Sequence, residues 1–124
     1  MWITRTIREH VELIYKEGYW DRVKADQLPS GVDFCTFDWA VNSGPGRAAK
    51  ALQKSVIVVQ DGAIGPRTLA AVEEKGPMQI IEDITGEREQ FYKSLKTFDT
   101  FGKGWLRRND ETCEYSLLLA GGMT

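Results

Sequence analysis

The sequence predicts an all-α protein, about six helices packed around one buried central helix. Three observations predict it. Apolar residues recur at helical spacing through most of the 124-residue chain. Residues 32–41 are apolar nearly all round, as a helix buried on most sides must be. The one strand-like run, residues 56–59, is followed by no second β-rich segment with which it could pair. The length suits one domain with a modest core.

The elements follow in order. Thr6 and Glu9 have capping-box spacing, and Ile7, Val11 and Ile14 share one helical face. Gly18 is the expected stop of that helix. Tyr19-Trp20-Asp21 and a polar stretch lead to Leu28-Pro29. The central helix is expected from about Gly31 to Asn42, its apolar surface made by Val32, Phe34, Cys35, Phe37, Trp39, Ala40 and Val41. Ser43-Gly44-Pro45 ends it and opens the next, because proline is tolerated in a first helical turn. There Ala48, Ala49 and Leu52 face inward, and Arg47, Lys50 and Lys54 face water.

Gly65-Pro66 opens a further helix, with Leu69 and Val72 inward and Gly76-Pro77 as its stop. A longer helix then sets Ile80, Ile84, Phe91 and Leu95 on one side. Gly86 interrupts it at a cost of about 1 kcal/mol relative to alanine. A last helix is expected near Gly104, carrying Trp105, Leu106, Arg107 and Arg108, before a frayed tail, Gly121-Gly122-Met123-Thr124.

The composition excludes several function classes. A net charge of −2 gives no reason to expect nucleic acid or an anionic membrane as the main partner. The apolar run Leu117 to Ala120 is far too short for a membrane span. The opening Met-Trp-Ile-Thr-Arg-Thr has no basic stretch leading into an apolar region, so synthesis in the cytoplasm without a signal peptide is expected. Cys35 and Cys113 are too few for a disulfide scaffold, and Cys35 reads as a buried thiol. His10 is the only histidine and stands alone, so no metal site and no cofactor are expected.

Few residues invite a chemical reading. Asp38 is a charge inside an apolar helix, with Asn42 four residues on and on the same face. Either the pair forms a polar stripe at the floor of a substrate cleft, or Asp38 anchors an arginine or a helix N-terminus while Asn42 caps the helix end. Asp61-Gly62-Ala63-Ile64-Gly65-Pro66-Arg67-Thr68 is a loop in which two glycines can supply positive φ. It is either a rigid turn or a platform offering backbone groups to a ligand. Tyr19, Trp20 and Trp105 can stack sugar rings or fill core, and Lys103, Arg107 and Arg108 can hold an acidic peptide or simply be solvated. A glycosidase acid needs a carboxyl of raised pKa. Glu9, Glu12, Glu17, Glu73 and Glu74 all read as solvated surface, and no complete active site is present.

Five blocks carry a resemblance. They are Tyr19-Trp20-Asp21, Phe37-Asp38-Trp39-Ala40-Val41-Asn42-Ser43-Gly44-Pro45, Leu52-Gln53, the Asp61–Leu69 stretch, and Gly104-Trp105-Leu106-Arg107-Arg108. In order and spacing the chain resembles glycoside hydrolase family 108, lysozyme-like muramidases that include phage endolysins. Residues 52–69 are also similar to the Leu-Gln…Asp-Gly-x-x-Gly-x-x-Thr pattern of peptidoglycan-binding modules.

The resemblance implies a lysozyme-like helical domain and bacterial peptidoglycan as partner, with action in the periplasm or cell wall. Carried over position by position, it implies substrate-binding roles for Trp20, Asp38, Asn42, Gln53, Asp61, Thr68 and Trp105. Family members carry the catalytic glutamate in a Glu-Gly-Gly motif that precedes this stretch. The resemblance therefore implies the C-terminal two-thirds of such a protein, inactive alone and with no catalytic residue of its own. A prophage-derived interaction protein, dimerising to cover exposed core, is the alternative. The division expected is residues 1–50 as part of the muramidase domain, 51–110 as a peptidoglycan-binding-like segment packed on it, and 111–124 as tail. Ile57 stands where the family has a glycine at a helix end, and a β-branched residue takes positive φ only at a cost. That end is therefore expected to close differently.

Overall fold

Glycine and proline punctuate the chain into helices, and the computed structural model, which describes residues 13–121, follows that punctuation closely. Thr6, Ile7, Glu9, His10, Val11, Glu12 and residues 122–124 lie outside the described residues. All regular structure among the described residues is helical.

Residues 13–15 are helical and run into a π turn, Lys16–Trp20, so Gly18 does not stop this segment; it continues to Trp20. A short 3-10 turn, Ala25–Gln27, leads to α1, Val32–Ser43. α2 is Pro45–Ser55, α3 is Pro66–Lys75, α4 is Pro77–Lys93 and α5 is Phe98–Ala120. Proline opens α2, α3 and α4, where its missing N–H is one that a first helical turn leaves unbonded anyway.

α1 is the central helix that its all-round apolarity predicts. It packs against α2, α4, α5 and both short turns, and buries Val32, Cys35, Thr36, Asp38, Trp39 and Ala40. Around it lie Ala48, Ala49 and Leu52 from α2, Val72 from α3, and Ile80, Ile81 and Ile84 from α4. The start of α1 crosses very close to the end of α5. Gly31, at φ +94, has no side chain because a Cβ there would lie 2.3 Å from the Ser116 carbonyl oxygen.

Further local expectations change. Gly86 does not interrupt α4, because it sits on an exposed face where a missing side chain costs no packing; Leu95 falls beyond the helix. α5 begins at Phe98, six residues before Gly104, and takes in residues 111–120 of the expected tail. Burial of Thr112 and Ser116 explains why that stretch stays helical. The apolar run 56–59, which has no β partner, forms no strand, in keeping with the all-α reading; it is the exit of α2, with Val56 folded back into the core and Ile57 and Val59 exposed.

That exit corrects the expectation for Ile57. Ile57 adopts φ +58, the Val58 N–H donates to the Gln53 carbonyl, and the Ile57 N–H donates to the Lys54 carbonyl. This is the glycine-type Schellman closure, made by a β-branched residue at the cost of backbone strain.

Candidate functional site

The first polar cluster grows from α1. Asp38, buried, accepts hydrogen bonds from Arg88 Nη1 at 2.9 Å, Arg108 Nη2 at 2.5 Å and Thr112 Oγ1 at 3.0 Å. The carboxylate thus ties α1 to α4 and α5. Of its two readings, the arginine anchor is the arrangement present. Burial alone would raise the Asp38 carboxyl, but Arg108 and Arg88 together outweigh it and hold it below the usual carboxylate range. Arg88 is itself buried, and its Nε donates to Tyr92 Oη at 2.8 Å. Tyr92 Oη in turn donates to Asn42 Oδ1 at 2.5 Å. Asn42 therefore does not cap its helix; Gly44, at φ +105, occupies the C-cap. Trp105 lies beside this chain of contacts, its ring 5.4 Å from Tyr92 and 5.7 Å from Phe101.

The second cluster is centred on Gln53. Its side chain is buried, with Nε2 shared among Asp61 Oδ1 at 2.9 Å, the Ala63 carbonyl at 3.1 Å and Thr68 Oγ1 at 3.3 Å. Its Oε1 accepts the Gly62 N–H at 2.9 Å. One amide thereby pins the whole 61–68 loop onto α2. Of the two glycines expected at positive φ, Gly62 takes it (φ +80), whereas Gly65 is extended at φ −124. The Ala63 N–H, and then Gln53, hold the Asp61 carboxyl below its ordinary range. The pinned loop and the α2 exit line an open cleft of about 700 Å³ that includes Ile57, Val59, Asp61, Arg67 and Thr68.

The seven residues read as substrate-binding do not converge on one point. Asp38, Asn42 and Trp105 belong to the α1–α4–α5 cluster, and Gln53, Asp61 and Thr68 to the loop. Trp20 stands apart, its Nε1 donating to Asp26 at 2.8 Å and its ring edge-on to Phe37 at 5.3 Å. Tyr19 packs against the core beside it. Arg108 serves Asp38, while Lys103 and Arg107 are exposed.

Sequence reasoning missed Arg88, Tyr92 and Thr112. Arg88 was findable: it follows Ile84 by four residues, a cation on the apolar stripe of α4. Such a cation demands a buried partner.

In both clusters the carboxylate accepts hydrogen bonds from its neighbours. The Asp83 carboxyl goes the same way as Asp38 and Asp61. Burial would raise it, but Lys75, Gln79 and Ser55 bring it down. Each of these carboxyls is thus held below its ordinary value, the opposite of what a glycosidase acid needs. Among the described residues no three His, Cys, Asp or Glu side chains gather as a metal site would, and no helix is long and apolar enough to cross a membrane.

Comparison with known proteins adds the following. Residues 2–44 match the family model described as glycosyl hydrolase 108, and residues 47–110 match the one described as predicted peptidoglycan domain. No curated protein matches the chain. Nine chains of solved structures match it. One of them, from the structure of Brucella abortus SagA, is 46% identical with a TM-score of 0.88, over 90% of this chain and 64% of that one. The chain thus spans just under two-thirds of that solved chain's length.

Proposed function

The chain belongs to the predicted peptidoglycan domain family, preceded by a stretch of glycosyl hydrolase 108 sequence, and from this we infer that it is the peptidoglycan-recognising part of a muramidase-type protein, working at the bacterial cell wall and cutting no glycan by itself. The observation that carries the reading is the loop pinned by Gln53 at the rim of an open cleft. A loop held by buried hydrogen bonds presents its backbone groups in one geometry, so little ordering cost falls on binding. Asp61, Thr68 and Gln53 shape that rim, and Trp20 and Trp105 offer aromatic surface beyond it.

The lack of cutting rests on charge. Among the described residues Asp38 is the one buried carboxylate, and two arginines keep it ionised. An ionised carboxylate cannot protonate a leaving glycosidic oxygen.

The test is incubation of the chain with purified cell walls, with pelleting, turbidity and muropeptide masses followed together. The expected outcome is co-pelleting without clearing and without new reducing muramic-acid ends. Protein that stays in the supernatant would remove the recognition reading, and clearing with new ends would remove the non-cutting one.

A further inference from the structure

Between α2 and α4 runs a groove that neither cluster uses. Trp39 and Phe91 line it, with Arg47 and Lys50 from α2 and Gln60 and Gln90 beside them, enclosing about 530 Å³. A neighbouring hollow of about 520 Å³ shares Lys54, Glu87 and Gln90 with it. The Lys54–Glu87 ion pair (2.7 Å) stands between the two hollows, and the second is lined by Glu82 and Asp83, so the face suited to an anion is the first.

We propose that this groove binds a carboxylate-bearing peptide and, resting on the peptidoglycan reading above, that the peptide is the stem of the wall polymer. Arg47, Lys50 and Lys54 lie at i, i+3 and i+7 along α2, so one helix face presents all three cations. Glu87 neutralises Lys54, but among the described residues Arg47 and Lys50 form no ion pair. Arg47 is also pre-positioned, its guanidinium carbon 3.9 Å from the centre of the Phe91 ring. Stacking fixes the plane of the fork and leaves its N–H edges to grip a carboxylate in two-point fashion.

The floor supplies a second, independent sign of a ligand. Trp39 is only 2% exposed, and its indole Nε1 has no hydrogen-bond partner among the described residues. A buried donor left unpaired is costly and rare, and here it belongs to a side chain that lines the groove. The amides of Gln60 and Gln90 match the alternating donors and acceptors of a peptide backbone. Two unpaired cations suit one or two carboxylates rather than a polyanion. An uncharged glycan strand would leave both cations without a counterpart.

The test uses the intact, ¹⁵N-labelled protein and three soluble probes. These are a muropeptide with its peptide carboxylates free, the same muropeptide with them amidated, and the disaccharide of N-acetylglucosamine, a glycan with no carboxylate. The free-carboxylate probe is expected to shift the Trp39 indole N–H resonance, and the other two are expected to leave it in place. The double variant Arg47→Ala/Lys50→Ala, and the charge reversal Lys50→Glu alone, are each expected to weaken that probe at least about tenfold, the scale of a lost charge-assisted contact. Lys96→Ala, an exposed cation outside both hollows, should bind as the parent does.

Arg47, Lys50 and Lys96 are all exposed, so circular dichroism should show the parent fold in every variant. If the parent pellets with walls but the amidated probe binds as well as the free one, or the variants bind unweakened, the groove proposal falls and the recognition reading stands. If the parent neither pellets nor binds any probe, both fall together.

Discussion

Replacing Asp38 with asparagine removes a charge while keeping size and shape, and so isolates what the buried carboxylate contributes. Its three partners differ in how much they depend on it. Arg108 is 62% exposed on its side chain and can return to water, so losing that pair costs about 0–1 kcal/mol. Thr112 can still donate to the new amide oxygen. Arg88 cannot escape: its side chain is 2% exposed, and one of its terminal nitrogens already lacks a partner.

Leaving a buried cation uncompensated costs about 3–5 kcal/mol, a large share of a total stability of about 5–15 kcal/mol. For a domain of this size that lowers Tm by roughly 10–20 °C. Urea unfolding followed by circular dichroism at neutral pH measures it. Arg108→Ala should cost no more than about 1 kcal/mol, and Asp38→Asn/Arg88→Met should recover most of the loss by removing the stranded charge.

The same pair has a pH signature. The Asp38 carboxyl is held below its unfolded value, so its stabilisation is fully present above that value, near pH 4. It is lost as pH falls through the folded pKa, because the unfolded chain then binds the proton first. The gap between parent and Asp38→Asn should therefore narrow as pH drops below about 4. A cost under about 1 kcal/mol for Asp38→Asn, or a gap that stays constant into acid, would refute the claim that a desolvated Arg88 depends on Asp38.

Two further outcomes test the backbone. Ile57→Gly is expected to stabilise the protein by about 0.5–1 kcal/mol: relief of about 1–2 kcal/mol of left-handed strain, less the entropy that glycine adds to the unfolded chain. Ile57 is 87% exposed, so little burial is lost, and a raised urea midpoint is the readout. Gly31→Ala is expected to destabilise by about 2–5 kcal/mol, because positive φ and a Cβ placed 2.3 Å from the Ser116 carbonyl both oppose it. An unchanged thermal midpoint would show that the α1–α5 crossing is looser than drawn.

Much of this protein was legible in the amino-acid string, because its signals are local. The helical class, the central position of α1 and the proline starts of α2, α3 and α4 follow from periodicity and from what proline permits. Cys35 belongs with them: placed in an apolar run, it is buried, and burial pushes its thiol up to about 12. So does the need of Asp38 for a partner, since a carboxylate on an apolar face cannot stay bare, although a cleft, an arginine and a helix N-terminus could each have met it.

What only the tertiary structure decided are the pairings and the strained turns. Asp38 meets Arg88 and Arg108 across 50 and 70 residues of sequence, and no local pattern encodes which cation arrives. Asn42 turns from cap to acceptor because Tyr92 comes within reach from α4. Residues 56–59 carry β-branched side chains, yet Val56 packs into the core and the helix behind them closes through Ile57 at φ +58. Packing of the surrounding helices there outweighs a propensity worth about 1 kcal/mol. The groove between α2 and α4 is likewise a product of assembly: its cations lie in order along α2, but Phe91, Gln90 and Glu87, which turn them into a site, come from a helix beginning more than twenty residues later.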